Sequence, residues 1–397
     1  MKWIVLDIRC GNQGYGISRT LQSIAQSLLK LSIDKSFKLI FVNDSLKKPD
    51  YLPIDANYIY YHEYFPLCRK LPPSVWATKV WNQLSLELKE PFLWLSLDNT
   101  DVPRLSPQKA GFIQTIQWIH DTLPLDFPKD HSFLFRNHFF LTLKSNLEKG
   151  VPIVTVSEFS KNSLIKHFPK LKSSITVVPN GIDPQFGSEP RYPKLKRQSL
   201  RQELIQKHAI PETFLFHKWI LGVGRKALYK NWGIGSQIVQ SITDKTPSVF
   251  IHIGNHKENQ LLNNTLLLPF MEDSSLYDFY QASDVLLHPS LGEGYGLVPV
   301  EAALTGLPVI YQKNTVLDEH FLSYPSQKRD LFWKSSANLE DSLQKLHLLL
   351  TDPKHLSFLS SLEKQSLRSQ MTELNGKDLF DFKNNIEVFL DKILQPS

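Results

Sequence analysis

Short apolar runs alternate with helical segments along most of the chain, and this alternation restricts the fold more than any other feature of the sequence. The runs are rich in β-branched, aromatic and leucine residues, which is typical of strands buried on both faces. Such alternation predicts an α/β fold in which parallel sheets are covered by helices. The expected strands are 3–8, 37–42, 58–61, 92–97, 112–119, 151–156 and 175–178, then 219–223, 249–253, 285–288 and 309–311.

The alternation occurs twice, separated by a polar, proline-containing stretch at about 183–196. A chain of 397 residues exceeds one ordinary core, so two domains are expected. We predict Rossmann-like domains at 1–185 and 186–376, followed by a closing helical segment at 377–397. Because parallel sheets bind ligands at the carboxyl ends of their strands, two facing sheets would place a site in the cleft between the domains.

The charge balance is mildly basic, with a formal net charge of +6 and a pI of about 9.0. A basic excess attracts phosphates, nucleic acid or an anionic membrane face, but here the charges are dispersed. No RNA-binding or zinc-finger signature accompanies them, so no nucleic-acid partner is expected. The densest cluster of cations lies in the expected linker and comprises Lys194, Lys196, Arg197 and Arg201.

The sequence lacks the features of a membrane-spanning or secreted chain. No stretch approaches the roughly 20 apolar residues of a membrane span, and the opening residues lack the apolar core and cleavage site of a signal peptide. Cys10 and Cys68 suit a reducing compartment. We therefore expect a cytoplasmic location, with peripheral contact at the inner face of the membrane left open.

The most informative segment is a glycine-rich loop between a buried strand and a helix. Gly292, Gly294 and Gly296 follow the strand that ends at His288, and the helix is expected to begin near Pro299. Glycines allow backbone to approach a ligand closely. Exposed amides at a helix start form an anion site, so this loop is expected to hold a phosphate.

Two carboxylates flank this loop, Glu293 within it and Glu301 in the expected first helical turn. Carboxylates are poor phosphate ligands but good acceptors for sugar hydroxyls. The pair is therefore expected to bind two sugars, such as a ribose and a transferred hexose. Solvated glutamates beside a plain turn are the alternative, but the Glu-x7-Glu spacing with three glycines favours binding.

A pair of cations, Arg225 and Lys230, follows the strand expected at 219–223. Arginine can bind a phosphate with two parallel hydrogen bonds, and lysine adds a point charge. Fixed cations at this position would stabilise a leaving diphosphate as it gains charge. A solvated basic turn would be the better interpretation of this pair alone, and the acid-bearing loop shifts the balance to phosphate binding.

The loop after the first strand has its glycines at Gly11, Gly14 and Gly16. The dinucleotide fingerprint needs the opposite spacing, G-x-G-x-x-G, and no acidic ribose partner follows at the usual distance. This argues against a nicotinamide or flavin enzyme. The loop either faces a donor diphosphate or is a plain strand–helix turn.

His120 and Asp121 end another buried strand. A histidine there could donate to a sugar hydroxyl or assist at the reacting centre, with Asp121 orienting it. A purely structural His-Asp pair is the alternative of about equal weight. An acidic cluster at 98–101 has no second site of its kind, so we expect it to be a solvated turn and predict no metal ion.

Together these segments resemble the GT-B glycosyltransferases of the family 4 type, a retaining group with many mannosyl- and glucosyltransferases of bacterial surface polysaccharide assembly. The resemblance runs from about residue 1 to 311 and is stronger in the second half. It rests on Glu293 with Glu301, Arg225 with Lys230, His120 with Asp121, and the segments 156–160 and 178–183. It implies a first domain for the acceptor, a second for the donor, and a final helix that returns to the first domain.

The resemblance also implies roles for individual residues, and it implies an enzyme that needs no cofactor or metal. Glu301 would bind the donor ribose, Glu293 the transferred sugar, and His120 would lie in the catalytic centre. The diphosphate would be bound by Arg225, Lys230, the amides near Gly296 and Leu297, and the loop of Gly14 and Gly16, with Phe270 and Met271 near the base.

The leading interpretation is a retaining transferase that moves a hexose to a saccharide or lipid-linked saccharide acceptor in surface polysaccharide or O-antigen synthesis. Mannose from GDP-mannose is the first candidate for the sugar and its donor. The histidine–aspartate pair followed by Leu123-Pro124 resembles the GDP-mannose subset. Alternatives are a UDP-sugar donor of the glucose, N-acetylglucosamine or rhamnose type, a hydrolase or nucleotide-sugar epimerase, and a non-catalytic sugar-nucleotide-binding assembly partner.

Overall fold

The chain divides into two compact units, Met1–Gly181 with Leu379–Ser397, and Ile182–Asp378. The boundary between Gly181 and Ile182 falls inside the segment 178–183, where the resemblance placed the junction between the domains. None of the described helices is both long and apolar enough to span a bilayer. The computed structural model describes residues 3–9, 16–35, 37–53, 58–62, 73–97, 102–103, 115–243, 246–322, 333–352 and 382–394.

The first unit contains a parallel sheet covered by helices. In chain order its elements are β1 (Trp3–Asp7), α1 (Gly16–Lys35), β2 (Lys38–Asn43), β3 (Tyr58–His62), α2 (Pro73–Leu88), β4 (Phe92–Ser96), β5 (Thr115–Ile119), α3 (Leu123–Asp126), α4 (Phe133–Glu148), β6 (Ile153–Thr155), α5 (Glu158–His167) and β7 (Ile175–Val177). The strand order is β3-β2-β1-β4-β5-β6-β7. Non-consecutive neighbours in this order reflect the helical crossovers that parallel pairing needs.

The central strands of this sheet are apolar along their length because both faces are covered. Val5 of β1 and Trp94 of β4 pack with Trp76 and Val80 of α2. Burying an apolar side chain of this size contributes about 1.5–3 kcal/mol. Helix α2 was not anticipated from the sequence, and it covers one face of the sheet.

The second unit repeats this architecture with a parallel sheet that has one antiparallel edge strand. Its elements are α6 (Gln185–Ser188), α7 (Lys194–Lys207), β8 (Lys218–Val223), α8 (Trp232–Thr243), β9 (Ser248–Gly254), β10 (Gln260–Leu262), β11 (Thr265–Pro269), α9 (Asp273–Ala282), β12 (Val285–His288), α10 (Leu297–Leu304), β13 (Val309–Gln312), α11 (Val316–Phe321), β14 (Trp333–Ser336) and α12 (Leu339–Thr351). The strand order is β10-β11-β9-β8-β12-β13-β14, and β10 pairs antiparallel with β11. The core joins Ile220, Phe250 and Ile310 of the sheet to Ile238 of α8 and Leu346 of α12.

The closing helix α13 (Phe382–Leu394) belongs to the first unit. Its apolar face is buried at Ile386, Phe389 and Leu390. The rings of Phe389 and Trp118 pack edge to face with their centres 5.8 Å apart. Lys35 of α1 pairs with Glu387 at 3.1 Å. The predicted fold class, two Rossmann-like α/β units and a final helix that returns to the first, is confirmed. Residues 377–381 of the predicted helix lie outside the described residues.

The predicted linker at 183–196 is wrong in its second part. Helix α7 begins at Lys194, so the cationic cluster at 194–201 lies on a helix of the second unit. Arg201 is buried and bonds to the carbonyl of Ala282 at 2.9 Å. The stretch resembles a linker in composition because Arg197 and Arg201 are paired with Asp284, a group far away in the sequence.

Candidate active site

The carboxyl edge of the second sheet carries most of the predicted site residues. Strand β8 leads into Arg225, β12 ends at His288, and β11 is followed by Phe270. Strands β11, β9, β8 and β12 pair in parallel. Their carboxyl ends therefore emerge along one edge, which is where open α/β sheets bind ligands.

Lys230, Glu293 and His288 form a cluster at this edge that is largely shielded from solvent. Lys230 Nζ donates to Glu293 Oε1, and His288 Nε2 lies 2.8 Å from the same oxygen. Their side chains are 11%, 13% and 1% exposed respectively. A carboxylate oxygen accepts hydrogen bonds, so the His288 nitrogen that faces it carries the proton. The structure thus joins the predicted cation directly to the predicted acid.

The electrostatics of this cluster keep Glu293 ionised. Burial alone would raise the pKa of the Glu293 carboxyl, but the charge of Lys230 and the hydrogen bond from His288 outweigh burial. The net result is a pKa well below the ordinary value of 4.5. Burial lowers the pKa of His288, which favours its neutral form. The acid therefore accepts hydrogen bonds at neutral pH.

Sequence reasoning missed the role of His288, which it treated as the end of a strand. The ring is fully enclosed, and among the described residues its Nδ1 has no hydrogen-bond partner. The signal was its position: a histidine at the carboxyl end of a buried strand, shortly before Glu293. The buried His288 thus holds the Glu293 carboxylate through this hydrogen bond.

Arg225 reaches the same cluster through Tyr229. Its Nη2 donates to the Tyr229 hydroxyl at 2.9 Å. The Arg225 guanidinium carbon and Lys230 Nζ lie 5.7 and 5.6 Å from the centre of the Tyr229 ring. The buried ring therefore lies near both cations. A backbone hydrogen bond of 2.8 Å from the Leu291 amide to the Tyr229 carbonyl ties this loop to the loop of the predicted acids.

Gly296 caps helix α10, and the structure shows why glycine is needed there. Its φ of 79° lies in the left-handed region. A Cβ at this position would lie 2.6 Å from Leu317 Cδ2. The amides at the start of a helix, here beginning with Leu297, have no partner inside the helix, and amides of this kind can bind an anion. The helix start thus lies where the sequence predicted it, three residues after Glu293, and its binding of a phosphate stays a prediction.

Glu301 lies in the second turn of α10, whereas the sequence predicted the first turn. The helix begins at Leu297, two residues before Pro299, because Gly296 supplies the left-handed cap. The Glu301 side chain is 1% exposed, and the Tyr280 hydroxyl donates to Oε2 at 3.1 Å. A buried carboxylate positioned by a tyrosine is suited to accept further bonds from hydroxyl groups.

Phe270 and Met271 follow β11 at the same edge, two strand positions from β8. Phe270 is 42% exposed, and Met271 is half-buried. An accessible aromatic ring can stack on a nucleobase. Their place near the donor base stays a prediction.

His120 lies in the first unit, directly after β5, and is 6% exposed. Its Nε2 is 3.0 Å from the carbonyl oxygen of Leu97, and Ser160 donates to the His120 carbonyl at 3.1 Å. Burial lowers the pKa of His120 to about 4, partly offset by the bond to Leu97. The neutral ring uses Nε2–H on Leu97, so Nδ1 is an acceptor. This geometry disfavours the expected donation from Nε2 to a sugar hydroxyl, and a role of His120 at the reacting centre stays a prediction.

Two further predictions concern the first unit. Asp121 Oδ1 accepts a hydrogen bond from the Leu123 amide at 3.0 Å, and its proposed orienting role stays a prediction. Gly16 is the first residue of α1. Gly14 lies outside the described residues.

Within the described ranges, histidine, cysteine, aspartate and glutamate side chains form no group of three or more that could hold a metal ion. The cluster around Glu293 combines a lysine with its acid and histidine, a set that favours charge neutralisation by Lys230. Independence from metal ions stays a prediction to be tested by activity.

Part of the chain matches a known protein family. Residues 252–385 match the family Glycosyl transferases group 1. This range contains His288, Glu293, Gly296 and Glu301, and it begins after Arg225 and Lys230. The family match and the two-unit fold support a glycosyltransferase of the GT-B fold.

Individual proteins resemble the chain at low identity. The O-antigen chain mannosyltransferase RfbU of Salmonella typhimurium is 25% identical over 217 residues, which cover 52% of this chain and 54% of RfbU. The putative glycosyltransferase YtcC of Bacillus subtilis is 28% identical over 150 residues, covering 36% of this chain and 35% of YtcC. The chain therefore spans about half, or less, of the length of these curated relatives.

A solved structure shares the fold over the whole chain. The sucrose-phosphate synthase of Thermosynechococcus elongatus is 14% identical with a TM-score of 0.68, and each chain is fully covered. At this level of identity the likeness concerns the fold alone.

Proposed function

We propose that the protein is a retaining glycosyltransferase that moves a hexose from a nucleotide-diphosphate sugar to a saccharide or lipid-linked saccharide. The observation that carries this proposal is the cluster of Lys230, Glu293 and His288, with Arg225 beside it. The cluster stands directly before the helix start capped by Gly296. Cations for a diphosphate and an ionised acid for sugar hydroxyls thus share one edge of a sheet.

The cations act on the leaving group. A nucleoside diphosphate gains negative charge as the glycosidic bond breaks, so Arg225, Lys230 and the first amides of α10 stabilise the transition state more than the ground state. Glu293 accepts hydrogen bonds from hydroxyls of the transferred sugar, and His288 fixes its orientation. Glu301 binds the ribose with its buried carboxylate.

Retention of configuration follows from front-face attack in this proposal. The acceptor hydroxyl attacks the anomeric carbon on the face from which the diphosphate departs, and a phosphate oxygen of the leaving group takes the proton. No protein base and no metal ion is needed for these steps. His120, through Nδ1, accepts a hydrogen bond from the transferred sugar.

The donor proposed first is GDP-mannose. The support is the sequence from His120 to Pro124 and the partial similarity to a protein named as an O-antigen chain mannosyltransferase. A UDP-sugar donor is the alternative for the same site. The acceptor would belong to surface polysaccharide or O-antigen synthesis, which implies a cytoplasmic protein with peripheral contact at the inner membrane face.

Thermal unfolding in the presence of candidate donors tests this proposal. GDP, UDP, ADP and their sugars should raise the Tm by different amounts according to their affinities. A ligand at 100 times its Kd stabilises the native state by about 2.7 kcal/mol. GDP and GDP-mannose are expected to raise the Tm of the wild type and of the control Lys207→Ala, which alters an exposed lysine of α7. Lys230→Ala should lose most of the shift. A Tm unmoved by every nucleotide would contradict the proposal.

A further inference from the structure

A cavity of about 500 Å³ lies at the opposite edge of the second sheet. Lys218 and Asp284 line it at the amino-terminal ends of β8 and β12, whereas the candidate active site lies beyond the carboxyl ends of the same strands. Arg191, Arg197 and Arg201 also line it. Its volume falls in the range of small-molecule sites, about 300–1,000 Å³.

Positive charge in this cavity exceeds negative charge. Among the described residues that line it, Asp284 is the single carboxylate, facing three arginines, Lys194 and Lys218. Arg201 Nη2 lies 2.7 Å from Asp284 Oδ2, while Arg197 Nη1 makes only a long contact of 3.4 Å to the other oxygen. Arg191 donates to the carbonyls of Tyr280 and Ser283. One acid therefore serves several buried cations.

Structural roles account for part of this arrangement. Arg191 and Arg201 bond to carbonyls at the C-terminal end of α9, where cations are favoured by the helix dipole. These contacts leave the Nε atoms of Arg191 and Arg197 buried without a hydrogen-bond partner among the described residues. A buried donor that lacks an acceptor costs about 1–3 kcal/mol. Helix capping does not explain Arg197, whose donors are the least satisfied.

The apolar part of the wall indicates what accompanies the anion. Phe216 lines the cavity and is 80% exposed, and Leu215 and Tyr192 also line the cavity. Guanidinium groups match the geometry of phosphate oxygens with paired hydrogen bonds. We propose that this cavity is a second binding site, separate from the donor site, for a phosphate group carried on a molecule with an apolar or aromatic part.

Crowding of the cations agrees with this site. Burial, followed by the charge of Arg197, lowers the pKa of Arg191 well below its ordinary value. Burial also lowers the pKa of Arg197, and Arg201 adds to this while Asp284 opposes it. Arginine stays protonated in proteins, so a bound phosphate relieves an excess of positive charge. The inference stands on the cavity and does not depend on the proposed transferase activity.

Equilibrium dialysis with radiolabelled inorganic pyrophosphate tests the site by counting. The wild type is expected to bind two pyrophosphates, one in the cavity and one at the donor site. Arg197→Gln should lose the cavity site, with binding weakened about tenfold or more, since a hydrogen bond to a charged group is removed. Lys230→Ala should instead lose the donor site. If the proposed function is wrong, Lys230→Ala should bind pyrophosphate like the wild type. If this inference is wrong, Arg197→Gln should do so.

Two controls keep the test decisive. Lys207→Gln removes the same charge from an exposed position on α7, about 15 Å further along the helix, and should bind like the wild type. If Arg197→Gln does not fold, Lys194→Gln replaces it, because Lys194 lines the cavity but is exposed. Its expected weakening is about threefold. A cavity site of wild-type affinity in either folded cavity variant would overturn the proposal.

Vesicle sedimentation identifies the source of the phosphate. Vesicles of phosphatidylcholine with phosphatidic acid are compared with phosphatidylcholine alone. Binding to the acidic vesicles that is lost in Arg197→Gln assigns the cavity to a lipid headgroup. Binding unaffected by the substitution, together with a lost pyrophosphate site, assigns it to a dissolved phosphate ester.

Discussion

The two edges of the second sheet hold cations in different ways. At the carboxyl edge Lys230 pairs with Glu293, and His288 fixes that acid. At the amino-terminal edge Asp284 serves Arg197 and Arg201 together. A matched pair prepares a site whose geometry is set before a ligand arrives, whereas unmatched cations create a demand for an anion.

Removing the shared acid should produce the largest effect on stability. Asp284→Asn keeps the shape but leaves Arg197 and Arg201 without a negative partner. Breaking a buried ion pair in this manner costs about 3–5 kcal/mol. Urea unfolding would measure the loss. Glu258→Gln, at an exposed acid of the same unit, should stay within about 0.5 kcal/mol, and equal stability of both variants would remove the contrast between the edges.

Acid should act on the same carboxylate. Burial raises the pKa of Asp284, but Arg201, Arg197 and Lys218 outweigh it and hold the pKa far below the ordinary 3.8. A group with a lowered folded-state pKa contributes stability that is fully present above its unfolded pKa and is lost as pH falls. Wild-type stability should therefore fall below about pH 4, within the range where Asp284→Asn changes less. Parallel pH profiles for the two proteins would contradict this assignment.

Activity should depend more on the carboxyl edge than stability does. Glu293→Gln retains an acceptor for Lys230 and His288 but loses the charge that binds sugar hydroxyls. We expect kcat/KM to fall about 100-fold, or roughly 2.7 kcal/mol. Lys230 has a flexible stem that can reach water, so unfolding should change less than in Asp284→Asn. Steady-state rates with GDP-mannose, with circular dichroism as the folding check, would show both; unaltered kcat/KM in a folded protein would exclude a role for this acid.

Residues that contact the donor farther from the reacting carbon should have smaller effects. Lys230→Ala and Glu301→Ala are each expected to weaken donor binding or turnover by about tenfold or more, or roughly 1.4 kcal/mol. Donor titration followed by turnover assays would separate the two effects. Wild-type activity in both folded variants would reject the donor site.

The smallest expected effect is that of metal removal. In the proposed mechanism Arg225, Lys230 and the helix start supply the positive charge at the diphosphate, so initial rates should be unchanged by EDTA. Rates measured with EDTA and after adding Mg²⁺ would check this. Full dependence on the added ion would show that the protein cations are insufficient.

The sequence predicted the carboxyl edge well because its signals are local. Buried strands appear in the sequence as unbroken apolar runs, and Arg225, Glu293 and Gly296 lie in the loops that follow such runs. Their convergence on one edge then follows from parallel pairing. The first-turn position predicted for Glu301 was wrong because the left-handed cap at Gly296 starts the helix earlier than Pro299 suggests.

The amino-terminal edge could not be predicted because its signals are distant in sequence. Arg201 looks like a solvated cation until the carbonyl of Ala282 and the carboxylate of Asp284 fold against it. The contact of His288 with Glu293 is nearer in sequence, but a histidine at a strand end has many structural uses. Pairing partners and burial decide such roles, and neither is written in the local pattern.

The hydrogen bond between the Leu291 amide and the Tyr229 carbonyl joins two loops through main-chain atoms alone. Replacing either side chain leaves both main-chain atoms in place, so alanine scanning would not detect this hydrogen bond. Proline at 291 would remove the donor. The neighbouring side chains can therefore change while the loop that carries Lys230 and the loop that carries Glu293 stay joined.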